Sequence, residues 1–464
     1  MSETDVRGAQ RAIPTSVVIA VATWLGATAA LQWSVVRFRV PILLALTLAA
    51  LVLGVAVVQG RRVRLGPRAI AGILLVQVLI LWAVPLFTYL SGGWRTAAYA
   101  VVTLAGLVGA ALLLVASRSR DHAPPAWGAA AFGVAALAHV ALTVIAVLGD
   151  PAPKIDVWVT LQQGSDVLLR AKSFYSVDWV GSPGIQDAFT YFPWMAVLVA
   201  PGRWLAGDVR WALLVWSLLL YAGLWALARS RWAQGPGQAR RGTLAAAGAA
   251  LVLVSVPGGI TQIDQAWTEP VLAALLVWWA VLVRRGQAWW AIVPLALALA
   301  SKQHMVVLVP LLALCRPFGW RRTVAAGGFA AVLMSPWLLG DFGGLWHDTV
   351  TLLVSFHPIR FANTWYLFAL NVFGVALPFW VTGLVVLGAL GAGCLLVARR
   401  RLGPVDTLAV AALVLLAANL VNKQAFYNQF WLSAALVVAA LTAAPNRPTG
   451  PDEAVSAAPV PDRR

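Results

Sequence analysis

The stretch KIDVWVTLQQGSDVLLRAKSFYS, Lys154 to Ser176, brings Asp156, Asp166, Lys154, Arg170, Lys172 and the amides Gln162 and Gln163 together in a chain of which only 11% is charged. A carboxylate such as Asp156, set just after an apolar run and the turn-forming GDPAP, can take a proton from an attacking hydroxyl. It can equally be solvated, or be the N-cap of the helix it begins. From Val157 to Leu169 a helical period places Trp158, Leu161, Val167 and Leu168 near one face. The other side carries Gln162, Gln163 and Asp166, the pattern of an amphipathic helix lying along a membrane.

Further polar clusters recur downstream. VDWVGSPGIQDAFTYFPWM is a Gly- and Pro-rich loop whose Tyr191 to Trp194 open a short apolar helix, either as an interfacial aromatic belt or as a platform for a sugar ring. TQIDQAWTEP supplies Asp264 and Glu269, SKQH supplies Lys302, Gln303 and His304, and NKQAFYNQ supplies Lys423 and Tyr427. The segment from Trp346 to Tyr366 adds His347, Asp348, His357, Arg360 and Asn363. Lys302, His304 and Lys423 border apolar runs, where a charge is costly unless paired or hydrated, although each can also snorkel to the interface. His347 and Asp348 lack the helical His and Glu spacing of a metal site, so no metal is expected. Lys172, Lys302, His357, Arg360 and Lys423 suit the oxygens of a phosphate. With Asp156 as general base, the set describes group transfer from a lipid phosphate at a membrane surface, with the lipid-linked donor as a substrate and no cofactor.

The elements that must position these residues are membrane spans. The 464 residues are 61% hydrophobic and carry a net charge of +17, with the arginines in short blocks between apolar runs. That placement sets orientation in a bilayer and excludes nucleic acid as the partner. The reading is all-α: a polytopic bundle of about 12 to 14 spans with juxtamembrane helices in an outer catalytic loop. Candidate spans are 14–33, 41–59, 69–90, 96–116, 126–148, 210–228, 243–260, 270–283, 287–300, 305–315, 323–339, 374–397, 404–421 and 426–443. With the N-terminus in the cytoplasm, the blocks at Arg61, Arg118, Arg229, Arg284, Arg316 and Arg399 all fall inside; Arg37 and Arg39 fall outside and mildly break the rule. Residues 13–148 then form N-terminal spans and 149–209 an extracytoplasmic loop. Residues 210–443 form a bundle with outer loops 261–269, 301–304, 340–373 and 422–425. Phe192 to Leu205 is too short to span and is placed at the outer interface, while SKQH leaves 287–315 as two short spans or one broken helix. The first run lacks a cleavage site and is read as retained, and the tails 1–12 and 444–464 read as disordered and cytoplasmic. Cys315 and Cys394 offer no disulfide framework, and no internal repeat is visible.

IDVWVTLQQGSDVLLRAKSFYS followed by TYFPWMAVLVAPGRWL resembles the pattern of membrane glycosyltransferases of the C superfold. The nearest likeness is to the polyprenyl-phosphate-mannose-dependent mannosyltransferases of actinobacteria, and it covers about residues 150 to 445. It implies inverting transfer of mannose from a polyprenyl phosphate to a lipid or glycan acceptor at the outer face of the plasma membrane. Asp156 would match the catalytic aspartate, Tyr175 and Tyr191 the loop tyrosines, and His357 with Arg360 the donor-phosphate group. Gln163, Asp264, Glu269, His304 and Tyr427 join the substrate-binding candidates. Departures are Ala171 and Lys172 where a glycine is usual, YFP in place of YPP, and five spans ahead of the aspartate loop. Two other functions compete: a transporter or flippase of a lipid-linked glycan, and an arabinofuranosyltransferase of the same superfold. A membrane scaffold would explain the spans but not the charged outer loops.

Overall fold

The structure, a computed structural model, describes residues 14–60, 63–118, 126–175, 177–229 and 236–443. The two tails, and parts of the basic blocks at 61–64, 117–120 and 229–241, lie outside the described residues. Every regular element described is helical. The first five helices are α1 (Thr15–Ser34), α2 (Val40–Gln59), α3 (Pro67–Ala83), α4 (Gly92–Arg118) and α5 (Ala126–Gly149). The polar loop holds α6 (Asp156–Leu169) and α7 (Trp194–Ala206). Beyond it come α8 (Arg210–Ala228), α9 (Pro236–Val254), α10 (Gly259–Asp264), α11 (Glu269–Arg284), α12 (Ile292–Leu299), α13 (Val309–Leu314) and α14 (Gly319–Gly340). The last group is α15 (Phe342–Trp346), α16 (Leu352–Ser355), α17 (Trp365–Phe373), α18 (Phe379–Arg400), α19 (Pro404–Val421) and α20 (Tyr427–Thr442).

Eight of these, α1, α2, α4, α5, α8, α14, α18 and α19, are long and apolar enough to cross a bilayer, which makes this a multi-pass membrane protein. Of the remaining predicted spans, 69–90, 287–300, 305–315 and 426–443 form helices shorter than their apolar runs, whereas 243–260 and 270–283 lie on the helices α9 and α11. The run 69–90 stops at Ala83 because Pro85 cannot continue a helix, and 84–91 is a loop. The run 270–283 is a 16-residue helix, α11, nearly all of it buried between α8, α12, α19 and α20. A helix walled by other helices is shielded from lipid along its whole length and need not match the hydrocarbon thickness.

SKQH breaks 287–315 into two short segments. Arg322 lies 5.1 Å from the Trp289 ring, while Trp194 links the other end, its N–H donating to Ala300 O and its Nε1 to Leu333 O. α12 therefore runs beside α14 in the same direction, and the chain must turn at Ser301–Lys302 and return through a 3₁₀ turn at Gln303–Leu308 and α13 to reach Gly319.

The two ends of the bundle differ chemically. At one, arginines cap the last carbonyls of neighbouring helices: Arg284 on Leu227 O at 2.9 Å, Arg400 on Val58 O and Arg240 on Ala116 O. Cations there complement the C-terminal dipole of those helices. At the other end meet the turn 35–39, the loop 84–91, the segment 150–193, and loops 255–268, 300–308, 341–364 and 422–426, joined by the hydrogen bonds described below. This loop end gathers the segments that the sequence reading expects on the outer side.

Candidate active site at the loop end

Asp156 is the first residue of α6, and Ile155, not Asp156, is the N-cap. The capping alternative is thereby corrected: Asp156 Oδ1 accepts the adjacent Val157 N–H at 2.9 Å. Oδ2 faces Gly184, where an added Cβ would sit 3.4 Å from it. One carboxylate oxygen is thus tied to the helix start and the other looks onto a residue with no side chain. Burial raises the Asp156 pKa above the usual carboxylate range, against the two backbone N–H groups that lower it. A carboxylate in such a place binds a proton more tightly than one in water.

α6 does not lie free on a membrane surface. Its buried face includes Leu161 but also Gln162 and Ser165, because the helix packs on α7. Gln162 binds Gly207 O and the Val209 N–H, and Asp166 is held by both Arg203 nitrogens at 2.9 Å. The side predicted to be polar is therefore largely an internal contact. Gln163 uses both ends of its amide on the Val180 backbone, at 2.7 and 3.2 Å, so it clamps the loop and is not held toward a substrate.

Tyr191 belongs to a second group. Burial first, with the charges of Asp156 and Glu269 adding to it, pushes its hydroxyl pKa well above the ordinary value. Lys302 Nζ lies 5.2 Å from the Tyr191 ring centroid and 2.5 Å from Glu269 Oε1. Asn428 donates to the same oxygen at 2.8 Å, and Thr268 Oγ1 lies 3.3 Å from Nζ. Glu269 is fully buried and its Oε2 has no hydrogen-bond partner among the described residues. Lys302, expected to hold phosphate, is instead committed to a buried carboxylate.

Tyr175 and Tyr427 are likewise structural. Tyr175 donates to Tyr191 O at 2.8 Å within an aromatic cluster of Phe174, Phe189 and Trp337. Tyr427 donates to Pro257 O and lies against the left-handed Gly258, where a side chain would collide with its ring. The Gly- and Pro-rich loop is then fixed from the far segment: Asp348 accepts the Phe189 N–H at 2.8 Å and pairs with His347, while Gln303 donates to Thr190 O. His304 is half-buried beside Gln303.

Asp264 belongs to a third group that the sequence did not reveal. Its Oδ2 accepts from Thr88 Oγ1 at 2.6 Å and from the Tyr89 N–H at 2.7 Å. Arg210, buried in an ion pair with Asp208, also donates to the carbonyls of Ala146, Asp150 and Asp264. One guanidinium thus ties the end of α5, the approach to Asp156 and the end of α10 together. Tyr89 donates to Lys154 O, two residues before Asp156. Two signals pointed here unread: Pro85, which makes 84–91 a loop, and the Asp208–Arg210 spacing at the start of an apolar run.

Burial raises Asp264 to about 6, helped by Asp150 and opposed by Thr88, Tyr89 and Arg210. The folded chain therefore holds this proton more tightly than the unfolded one, so its contribution to stability is lost as pH rises from about 4 through 6. Asp264→Asn keeps an acceptor for Thr88 and Tyr89 and removes the titration. Melting curves of both proteins in detergent across pH 4 to 8 should diverge, wild type falling relative to the variant up to about pH 6 and running parallel above it. Parallel behaviour over the whole range would contradict the assignment.

The remaining basic candidates stand apart from Lys302. Lys172, His357 and Arg360 are exposed. Lys423 donates to Val354 O at 3.1 Å, and Phe361 packs on Phe426, so the 352–363 and 422–426 segments adjoin. The structure thus joins Tyr191, Glu269, Lys302 and Asn428 in one group, sets Asp156 beside Gly184, and brings the segments that carry His357, Arg360 and Lys423 together as a basic corner. No family model and no curated protein matches the chain.

Proposed function

We propose that the chain is an integral-membrane glycosyltransferase, moving a sugar, mannose in the first instance, from a polyprenyl phosphate to a lipid or glycan hydroxyl with inversion. One observation carries the reading. Asp156 has one oxygen anchored and the other facing Gly184, with its proton affinity raised by burial, which suits a general base. In this scheme Oδ2 takes the acceptor's proton as its oxygen attacks the anomeric carbon, and the bond from that carbon to the phosphate breaks. The exposed cations of the loop end offset the charge developing on the leaving phosphate. The arginine blocks at the opposite end support a site on the extracytoplasmic side of the plasma membrane.

The transporter alternative draws on polar groups inside the bundle, where His139 Nδ1 meets the Tyr221 hydroxyl at 3.0 Å. The cavity they line with Arg210 and Gln262 is only about 30 Å³, room for a water molecule and not for a glycan. To test the transfer reading, the purified chain is incubated with radiolabelled polyprenyl-phosphate mannose and a membrane-lipid extract, with arabinofuranose and other sugars in parallel. A labelled product is expected from mannose. Product from arabinofuranose alone would move the donor within the superfold, and no product from any sugar would overturn the reading.

A further inference from the structure

The turn between α1 and α2, which the family resemblance does not cover, is built into the basic corner. Asn363, almost fully buried, donates from Nδ2 to Arg37 O at 2.7 Å and accepts the Arg39 N–H on Oδ1 at 3.1 Å. Trp365 adds a bond to Thr47 on α2 at 3.1 Å. Residues 35–39 are thereby locked onto the segment that carries His357 and Arg360, which itself adjoins Lys423.

The charge at this corner is one-sided. Segments 34–40, 352–373 and 419–429 contain Arg37, Arg39, Arg360 and Lys423, with His357, and not one Asp or Glu. No ion pair among the described residues involves these side chains. Arg37 Nη1 is enclosed by the protein and has no hydrogen-bond partner among the described residues. A guanidinium nitrogen without a partner is costly, and a planar fork of donors on a turn bonded to a segment that carries further cations suits the oxygens of a phosphate.

We propose that the α1–α2 turn completes an anion site at the loop end, in which Arg37, with Arg360 and Lys423, binds the phosphate group of a lipid. That the lipid is a prenyl phosphate donor rests on the transfer reading; that the site takes a phosphate does not. The N-terminal helix pair is then part of the binding machinery and explains why two arginines break the charge rule at an outer turn.

The experiment measures binding of farnesyl phosphate and of inorganic phosphate to the full chain in phosphatidylcholine nanodiscs. Wild type is compared with Arg37→Gln, Arg37→Lys and, at the opposite end, Arg68→Gln. Arg37→Gln is expected to weaken farnesyl phosphate binding about tenfold or more, with Arg37→Lys losing less, because one charge-assisted contact is removed in the first and kept in part in the second. Arg68→Gln should bind as wild type. Inorganic phosphate bound as tightly as the prenyl ester, with the same Arg37 dependence, would keep the anion site and overturn the lipid as its source. Equal binding by wild type and Arg37→Gln, or no binding of either probe, would overturn the inference. If sugar transfer nevertheless persisted in Arg37→Gln, the transfer reading would stand without it. Should Arg37→Gln not fold, Arg37→Lys decides: an affinity unchanged against wild type and no competition by phosphate would sink the site.

Discussion

Asp156→Asn is expected to lower sugar transfer by roughly 10²- to 10⁴-fold while leaving the fold and donor binding unchanged, the usual range for a lost general base. Asparagine can still accept the Val157 N–H, so the start of α6 is preserved, but the atom facing Gly184 no longer takes a proton. The pH profile gives an independent reading of the same residue. A base must be deprotonated to act, and burial raises the Asp156 pKa. Wild-type kcat/KM should therefore decline on the acid side at a pH above that of an ordinary carboxylate, and the residual activity of Asp156→Asn should lack that limb. Comparable rates and matching acid limbs in the two proteins would assign the base elsewhere.

The largest effect on stability should come from Lys302. Lys302→Met removes the cation from Glu269 and leaves a fully buried carboxylate held only by Asn428 on one oxygen. Breaking a buried pair from one side costs about 3–5 kcal/mol, because the remaining charge keeps its desolvation penalty without its partner. Glu269→Gln with Lys302→Met removes both charges and should recover most of that loss, since an apolar and polar pair of similar volume has no uncompensated ion. Denaturation of the single and double variants in detergent forms the cycle. A double variant as unstable as the two single losses added together would show that the pair acts independently of charge and would defeat this account.

Much of the fold is legible because the bilayer imposes a local rule. Runs of apolar residues mark helices, and arginine blocks mark one end, so the outer segments could be collected by counting before any contact was known. The short α12 and α13 and the break at SKQH follow the same logic. The N-cap role considered for Asp156 was decided differently, since capping depends on one residue's backbone angles and Ile155 takes them.

The site was legible as a collection of loops and not as an arrangement. Lys302 reads as a phosphate ligand in isolation; its partner Glu269 stands 33 positions away. Asp264 is held by Thr88, 176 positions away, from a loop that looks like the tail of a span. Gln163 and Tyr175 read as substrate contacts because their types suit sugars, yet each is spent on a backbone group across a turn.

By itself the amino-acid sequence determined that this is a multi-pass helical membrane protein with its polar chemistry concentrated in one set of loops, because hydropathy and charge act through short stretches of chain. Only the tertiary structure decided which of those polar residues neutralise one another and which face outward. Pairing of buried charges is set by distances between segments remote in sequence, and the cost of leaving such a charge unpaired, not any local pattern, selects Lys302 for Glu269, while Asp156 keeps one oxygen facing Gly184.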